Sequence, residues 1–397
     1  MSRLHSETID TSTPRDRIIG KFRGATKGPT LIFVAGMHGN EPTGIYALRR
    51  VLADLETSKN EFRGNIYAIN GNLAALDKGI RYIKHDLNRL WTSDAIETLE
   101  NPEAAAYSYE MLEQSDIYFS LKKILAKEEG PFYFFDLHTT SSKTIPFITL
   151  NDSLLNRKYT SQYPVPLILG IEEFLNGALL SYINELGYIA FGFEGGQHDD
   201  PKSIDNHIAF IKLSLVYSGC MEKSGIDFQK YYQHLCHTTC DSKQFYEISK
   251  RYEIKPFEDF SMVDGFTNFQ RIKKGDRLAT SNGNPLFAEE KGLIFMPLYQ
   301  GKGNDGYFII HKTPKLFLHI SKMIRQLGVD NMLPLLPGIR WASGEKDELI
   351  VNLKIARFFT RKFLHLMGYR NKRLDSNHLK VKNREAASRA EDYEGYF

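Results

Sequence analysis

The fold class follows from one stretch of the sequence, LIFVAGMHGNE at residues 31–41. Its first half is a continuous apolar run, short enough to be a buried strand, and its second half is a polar turn that carries His38 and Glu41. Residues 43–56 repeat their apolar positions at helical spacing, which predicts a helix directly after the turn. A strand, a polar turn and a helix in this order indicate an α/β unit, and such units bind ligands at the carboxyl end of the strand.

The alternation of strands and helices continues through the first half of the chain. Further strands are predicted at residues 65–70, 132–137, 146–150 and 188–194, and further helices at residues 102–127 and from residue 203 onward. We therefore predict an α/β fold with a mixed, mostly parallel sheet that is covered by helices on both faces.

The second half of the chain has a different pattern. Residues 245–310 consist of short β-like runs broken by glycine and asparagine, which is typical of a small β-domain. A helical pattern returns after residue 316 and ends in a basic amphipathic stretch at 348–366, which we expect to pack its apolar face on the protein itself. The predicted organisation is an N-terminal extension (1–27), an α/β domain (28–225), a small C-terminal β-domain (226–315), a helical extension (316–369) and a loose tail (370–397).

The composition is that of a folded globular protein, with 42% hydrophobic and 25% charged residues among 397. Lysine and arginine exceed aspartate and glutamate by only 51 − 48 = 3, so no basic field indicates a nucleic-acid partner. No apolar run approaches the roughly 18 residues of a membrane span, and the first residues lack the apolar core of a signal peptide. We expect a cytoplasmic protein that has no membrane span and does not bind nucleic acid. Whether it forms a homo-oligomer is left open.

Histidine and carboxylate side chains follow two of the predicted strands. His38 and Glu41 are three residues apart in the first turn, and His138 comes just after the strand at 132–137. Imidazole nitrogen and carboxylate oxygen are ligands of zinc, and a set of three protein ligands leaves one position open, as in catalytic zinc sites. Asp136 is placed to orient a ligand histidine from behind. The alternatives are a glycine-rich turn with a capping Glu41 and a strand-end cap at Asp136.

Two further segments carry charged side chains suited to a substrate. In the first, RYIKHDLNRLW, Arg89 can form two parallel hydrogen bonds with a carboxylate, and Asn88 can add another. Arg81, at the start of this segment, can polarise a carbonyl group, although isolated arginines are usually solvated surface residues. In the second, GFEGGQH, Glu194 ends an apolar strand, and we expect the two glycines after it to let the backbone approach a ligand. A carboxylate in this setting can have a raised pKa and act as a general base.

Four motifs of the chain together resemble one known family. They are HGNE (38–41), DLNR (86–89), DLH (136–138) and an apolar strand that ends in Glu-Gly (194–195). In this order and spacing they resemble the succinylglutamate desuccinylase/aspartoacylase family, a branch of the zinc carboxypeptidase-like superfamily. The resemblance covers the α/β domain and the small β-domain, and the segment after residue 316 has no counterpart in it.

The resemblance implies a catalytic site with one zinc ion per chain. Its zinc ligands would be His38, Glu41 and His138, and Glu194 would be the catalytic base and acid. It also implies hydrolysis of the amide bond of a small N-acyl amino acid by zinc-activated water. The alternatives are a carboxypeptidase-like enzyme acting on peptide ends and a zinc-carrying binding module without activity.

The same resemblance assigns residues to the substrate. Asn88 and Arg89 would hold the carboxylate of its amino-acid part, and Arg81 would stabilise the oxyanion. Aspartoacylases carry another arginine shortly before the catalytic glutamate, where this chain has Asn184. No lysine or arginine occurs in residues 159–201, so we expect a neutral or apolar substrate group in place of a second carboxylate.

One cluster outside these motifs, HLCHTTC, offers histidine and cysteine side chains at residues 234–240. His234, Cys236 and Cys240 could join a second zinc site, but the C-x₃-C spacing lacks a matching second pair. We therefore do not predict a metal there.

Overall fold

The computed structural model describes residues 16–58, 60–100, 108–342, 344, 346–356, 361–373 and 377–397. Residues 1–15 of the predicted N-terminal extension and residues 102–107 of a predicted helix lie outside the described residues. The described part of the extension includes a strand at Ile18–Arg23, which pairs with the main sheet.

Strands and helices alternate through the first half, as the sequence predicts. Their bounds are β1 Ile18–Arg23, β2 Thr26–Ala35, α1 Thr43–Thr57, β3 Arg63–Asn70, α2 Leu73–Lys78, α3 Ser93–Glu100, α4 Tyr109–Lys127, β4 Phe132–Thr140, β5 Phe147–Leu150, α5 Leu154–Thr160, β6 Leu167–Leu169, α6 Leu179–Glu185, β7 Ile189–Gln197, α7 Lys202–Tyr217 and α8 Phe228–Thr238. The second half contains β8 Phe245–Glu253, β9 Phe260–Met262, β10 Arg271–Ile272, β11 Arg277–Ser281, β12 Asn284–Phe287, β13 Gly292–Phe295, β14 Asp305–Lys312, α9 Lys315–Gln326, β15 Ile339–Trp341, β16 Glu348–Asn352, α10 Arg361–Leu366, β17 Tyr369–Arg373 and β18 His378–Asn383.

One eleven-stranded sheet runs through most of the described chain, in the order β1-β3-β2-β4-β7-β5-β6-β8-β14-β13-β10. Its centre, β3-β2-β4-β7, is parallel, whereas β1 runs antiparallel to β3 and β5 runs antiparallel to β7. Strand β5 is parallel to its other neighbour, β6. The predicted mixed α/β fold is confirmed. Because β8 pairs with β6, four strands of segment 226–315 extend the same sheet: β8, β14, β13 and β10. The other three, β12-β11-β9, form a small sheet of their own, and a separate domain at this segment stays a prediction.

Alternate residues of β2 point to opposite faces of the sheet, which divides the core into two layers. Leu31 and Phe33 pack in the layer that contains α1 and α7, and Ile32 and Val34 pack in the layer that contains α4 and α6. Helices on both faces therefore explain why residues 31–35 of this strand are apolar without a break.

The extension after residue 315 differs from its predicted helical character. The predicted helix at 348–366 is wrong for Glu348–Asn352, which form β16 in a four-stranded sheet of order β15-β16-β18-β17. It is confirmed for Arg361–Leu366, which form α10, and residues 357–360 lie outside the described residues. Leu349 and Val351 are fully buried on one face of this strand, two residues apart as strand geometry requires. A short apolar run such as this one fits a helix or a strand equally well in the sequence. The predicted packing on the protein itself holds for Leu349 and Phe363, which belong to the core of the extension.

The predicted loose tail at 370–397 is also wrong for its described residues, which include β18 and a buried Tyr393. The Tyr393 hydroxyl donates a hydrogen bond to the carbonyl of Phe132 and accepts one from the Ile189 amide at 3.0 Å. The ring of Phe397 contacts the ring of Tyr159.

Helix α9 turns its polar side toward the protein. Ser321 and Arg325 are buried, whereas Leu316 and Met323 are at least half exposed. Arg325 turns inward because it pairs with the fully buried Asp152 of the first half of the chain. Neither α9 nor any other described helix has the length and apolar character needed to cross a membrane.

Candidate active site and metal centre

The polar turn after β2 places two side chains at the carboxyl edge of the parallel strands. Gly36 has a φ of +73°, which glycine adopts without strain. Gly39 lies against the backbone of Ala75, where a Cβ atom would be 2.1 Å from the carbonyl carbon. This close turn leaves His38 and Glu41 buried, at 5% and 2% exposure.

His38, Glu41 and His138 form one cluster. Their potential ligand atoms lie within 4.8 Å of one another. The Glu41 carboxylate is 2.8 Å from Nδ1 of His38 and 2.9 Å from Nδ1 of His138. Within the described residues, this is the one group of histidine, cysteine and acidic side chains close enough together to hold a metal ion.

Each of the two histidines contacts a further carboxylate through the ring nitrogen that faces away from Glu41. Nε2 of His138 lies 2.8 Å from Asp136, and Nε2 of His38 lies 3.2 Å from Asp86. With Nε2–H directed at a carboxylate, Nδ1 of each ring can present a lone pair to a point beside Glu41. The donor set fits a zinc-type ion, since it offers two imidazole nitrogens and a carboxylate in a buried position. The sequence predicts this supporting role for Asp136 but not for Asp86. The position of Asp86 in the DLNR motif is the feature that could have indicated it.

Charge interactions shift the pKa values of this cluster. Burial alone would raise the pKa of Glu41, but His38 and His138 outweigh it, and this pKa lies well below its usual value. Burial alone would lower the pKa of His138, but Asp136 and Glu41 raise it well above its usual value. Metal binding requires neutral imidazoles, so a metal ion would displace the proton that this arrangement favours on His138.

Glu194 lies on β7 beside His138, its partner in the strand register. It is 6% exposed, and its Oε2 has no hydrogen-bond partner among the described residues. Burial raises the pKa of Glu194 to about 8, with neighbouring carboxylates adding to the shift and His138 opposing it. The glycines after Glu194 are predicted to let the backbone approach a ligand, but the structure shows that they lie against α7. A Cβ atom on Gly195 would be 2.2 Å from the His207 ring of this helix. Their missing side chains therefore allow α7 to pack closely against β7.

Arg81 lies against the candidate metal ligands. Its Nη1 is 3.5 Å from Glu41, and its Nη2 is 3.2 Å from Asp86. Its Nε is buried and has no hydrogen-bond partner in the part of the chain that the structure describes. One donor of this guanidinium group is therefore unused beside the cluster.

Asn88 and Arg89 belong to a 3-10 turn at Leu87–Arg89. Oδ1 of Asn88 accepts a hydrogen bond from the Leu179 amide at 2.9 Å, and Nη2 of Arg89 donates to Asp305 at 2.9 Å. Asp305 also pairs with Arg251. The arginine expected to bind a substrate carboxylate thus already contacts an internal one. The sequence does not indicate this role of Asp305, because a contact between residues so far apart in the chain leaves no local pattern.

All seven predicted site residues line a single cavity of about 120 Å³. They are His38, Glu41, Arg81, Asn88, Arg89, His138 and Glu194. Strands β13 and β14 and the segment between them supply another wall, which includes Met296, Leu298, Gln300, Asp305 and Phe308. The site is therefore built from both halves of the large sheet.

The remaining candidate ligands have other partners. His198, which follows β7 directly, contacts the Thr139 hydroxyl at 2.8 Å. His234 contacts the Asn206 side chain at 2.8 Å, and Cys240 is exposed.

The fold and the site define an α/β protein with a candidate metal-dependent catalytic centre, and comparisons with known proteins identify its family. A profile described as the succinylglutamate desuccinylase/aspartoacylase catalytic domain matches residues 27–201. The succinylglutamate desuccinylase of Pseudoalteromonas atlantica is 30% identical over 275 residues, which cover 66% of this chain and 75% of that protein. A probable aspartoacylase of Prochlorococcus marinus is 26% identical over 292 residues, which cover 66% of this chain and 83% of that protein. The chain belongs to the succinylglutamate desuccinylase/aspartoacylase family, a family of deacylases, as the motifs predict.

Other matches are shorter or are limited to the fold. The similarity to a succinylglutamate desuccinylase of Pseudomonas putida spans 19% of that protein. The succinylglutamate desuccinylase of Chromobacterium violaceum has a TM-score of 0.51 at 16% identity, over 73% of this chain and 86% of that one. A family member from Rhodobacter sphaeroides has a TM-score of 0.51 at 14% identity, over 73% and 87%. At these identities the solved structures show the shared fold.

Proposed function

We propose that this protein is a zinc-dependent hydrolase that cleaves the amide bond of a small N-acyl amino acid. Membership of a deacylase family supports the reaction class. The observation that carries the mechanism is the position of Glu194, whose unpartnered carboxylate oxygen is buried at the cavity that His38, Glu41 and His138 also line. One zinc ion per chain, bound by these three side chains, would lower the pKa of water toward about 7 and polarise an acyl carbonyl.

Glu194 moves the proton in this mechanism. Its carboxylate accepts a proton from the attacking water as the new carbon–oxygen bond forms. The same group then donates that proton to the amide nitrogen as the carbon–nitrogen bond breaks. The products are a carboxylate and a free amino acid.

Two arginines and an asparagine bind the substrate. Arg81, which has a free donor beside the cluster, offsets the negative charge that develops on the carbonyl oxygen. Arg89 and the amide of Asn88 bind the α-carboxylate, and Asp305 orients Arg89 through its ion pair. A free α-carboxylate on the substrate is therefore required.

The cavity favours this reaction over the two alternatives. A peptidase that acts on peptide ends needs room for a chain, whereas this cavity of about 120 Å³ is walled by Met296 and Leu298. A zinc-carrying binding module without activity would need neither Glu194 nor Arg81. A cytoplasmic location remains part of the proposal.

A substrate panel tests the proposal. Arg81 and Arg89 are the only arginines or lysines among the described residues that line the cavity, and both lie on the side of Asn88 and the candidate metal ligands. We expect the zinc-loaded protein to hydrolyse N-acyl amino acids without a second carboxylate with a higher kcat/KM than N-acetylaspartate or N-succinylglutamate. A preference of about tenfold for the dicarboxylates would contradict the assignment of the substrate group. No hydrolysis of any member of the panel would reject the function itself.

A further inference from the structure

The cavity has a second wall, on the side of Glu194 away from the candidate metal ligands. In the sheet order β2-β4-β7-β5, the ligands follow β2 and lie on β4, Glu194 lies on β7, and β5 comes next. Four polar residues from β5, the turn after β6 and the start of α6 line the cavity here, and we call them the far wall: Thr149, Asn151, Glu172 and Ser181. The far wall contains no cation.

Glu172 is the charged member of the far wall, and it is 2% exposed. Its Oε1 accepts hydrogen bonds from the Asp152 amide at 3.2 Å and from Nε of Arg384 at 2.8 Å. Its Oε2 is buried and has no partner among the described residues. A buried acceptor without a donor is unfavourable, so this oxygen favours a ligand that supplies one.

The ion pair with Arg384 does not cancel the negative charge at this place. Arg384 pairs with Glu173 as well as with Glu172, so its positive charge is shared between two adjacent carboxylates. His365 contacts Glu173 at 3.3 Å, and no contact of His365 with Glu172 is seen among the described residues. A substrate carboxylate that reached the far wall would meet like charge. A cation there would meet opposite charge and an unused acceptor.

The amino-acid part of the substrate lies nearest to the far wall. Asn88, which binds the α-carboxylate in the proposed function, accepts a hydrogen bond from Leu179 at the start of α6. Two residues further along this helix, Ser181 accepts a hydrogen bond from Asn151 at 3.3 Å. A side chain that leaves the α-carbon beside Asn88 therefore follows the start of α6 toward Glu172.

We propose that Glu172 is a specificity-determining residue that binds a terminal ammonium group on the amino-acid side chain of the substrate. The inference rests on the proposed function and narrows its substrate class to N-acyl derivatives of basic amino acids. It replaces the neutral side chain that the sequence predicts with a cationic one. Arg384 is a positioning residue, since it holds Oε1 of Glu172 and so fixes where Oε2 lies. The extension after residue 315 thereby takes part in substrate choice.

Isosteric substrates test the inference. Nα-acetylornithine and Nα-acetylnorleucine differ only in an ammonium or a methyl group at the end of the side chain. We expect the zinc-loaded enzyme to hydrolyse the ornithine derivative with a kcat/KM about tenfold or more above that of the norleucine derivative. Calorimetric binding of free ornithine and free norleucine, the two products, gives a second readout, and ornithine should bind more tightly.

Two neighbouring glutamates provide the variant and its control. Glu172→Gln removes the charge, and we expect the ratio of the two kcat/KM values to fall to within about threefold of one. Glu173→Gln weakens the same ion pair with Arg384, but Glu173 does not line the cavity, so the ratio should stay near its wild-type value.

Each failure has its own signature. Equal hydrolysis and equal binding of the two isosteres by the wild-type protein would overturn the role of Glu172, even if the Glu172 variant did not fold. A ratio that survives Glu172→Gln would also overturn it. If neither derivative nor any other member of the panel is hydrolysed, the proposed function fails, and the calorimetric comparison of the free amino acids still decides whether Glu172 selects a cation.

Discussion

At the scale of single residues, the site depends on which nitrogen each histidine turns inward. Asp86 and Asp136 contact the Nε2 atoms of His38 and His138, which leaves the two Nδ1 atoms facing Glu41. Sequence spacing predicts the ligands but not this orientation. The orientation depends on carboxylates that the fold brings behind the rings.

We expect His38→Ala and His138→Ala to lose the metal ion, because two remaining ligands bind zinc poorly. Metal content measured by inductively coupled plasma mass spectrometry should fall from about one ion per chain to a small fraction of it. His198→Ala is the matched control, since His198 contacts Thr139 rather than the cluster and should keep full metal content. Full occupancy in either ligand variant would disprove the assignment.

Glu194→Gln separates proton transfer from metal binding. The amide keeps the shape of the side chain but cannot accept a proton from water. We expect unchanged zinc content and a kcat lower by about 10²-fold or more, measured on the best substrate of the panel. Turnover within a few-fold of the wild type would show that another group is the base.

At the scale of elements, α9 is held to the catalytic half by a buried charge cluster. Its Arg325 donates to the side chain and the main-chain carbonyl of Asp152, and Arg157 pairs with the same carboxylate. Three apolar residues of α9 are exposed, Leu316, Ile320 and Met323. Leu318 and Ile324 are partly buried against neighbouring cores, so the fully buried contacts of this helix are the polar ones of Ser321 and Arg325. From the sequence alone, the apolar residues of α9 would be expected to form its buried face, and the structure shows several of them exposed instead.

Arg325→Met should destabilise the protein by about 3–5 kcal/mol, because it leaves the fully buried Asp152 with fewer charge partners. Thermal unfolding followed by circular dichroism measures the loss. Lys322→Met, on the same helix but exposed, is the control and should change stability by no more than about 0.5 kcal/mol. Equal effects of the two changes would argue against the buried cluster.

The same cluster predicts a dependence of stability on pH. Burial would raise the pKa of Asp152, but Arg157 and Arg325 outweigh it and hold this pKa below its usual value. A depressed folded-state pKa contributes stability that is complete above the ordinary value of about 4 and is lost as the pH falls below it. The melting temperature should therefore decline between about pH 4 and pH 2, and Arg325→Met should reduce the slope. An identical slope in the variant would exclude this source.

At the scale of the whole molecule, the last residues of the chain complete the core of the first half. The hydroxyl of Tyr393 bridges the carbonyl of Phe132 on β4 and the amide of Ile189 on β7. These strands carry His138 and Glu194 at their other ends. The C-terminal segment thus supports the two strands that place the candidate ligand and base.

Tyr393→Phe should cost about 1–3 kcal/mol, because it leaves a buried carbonyl and a buried amide without their partner. The melting temperature measures this effect. Tyr396→Phe is the matched control, since Tyr396 is 36% exposed and no hydrogen bond of its hydroxyl is seen among the described residues. If both variants melt together with the wild type, the tail does not anchor the sheet.

The sequence alone determined the α/β class, the family and the seven residues of the candidate site. The physical reason is that buried strands need unbroken apolar runs, and the polar residues of HGNE and DLH come at the ends of such runs. DLNR is a local motif that does not follow a strand. Each of these signals lies within a few residues, so the sequence shows them without a fold.

Only the tertiary structure decided what surrounds those residues. Asp305 reaches Arg89, and Arg384 reaches Glu172, from strands or segments far along the chain, and such pairings leave no periodic pattern. The strand β16 is likewise not evident from the sequence, because a short apolar run fits a helix or a strand until the neighbouring strands are known. The charge at the far wall of the cavity therefore depends on how distant segments of the chain pack together, whereas the candidate metal ligands are evident from local sequence.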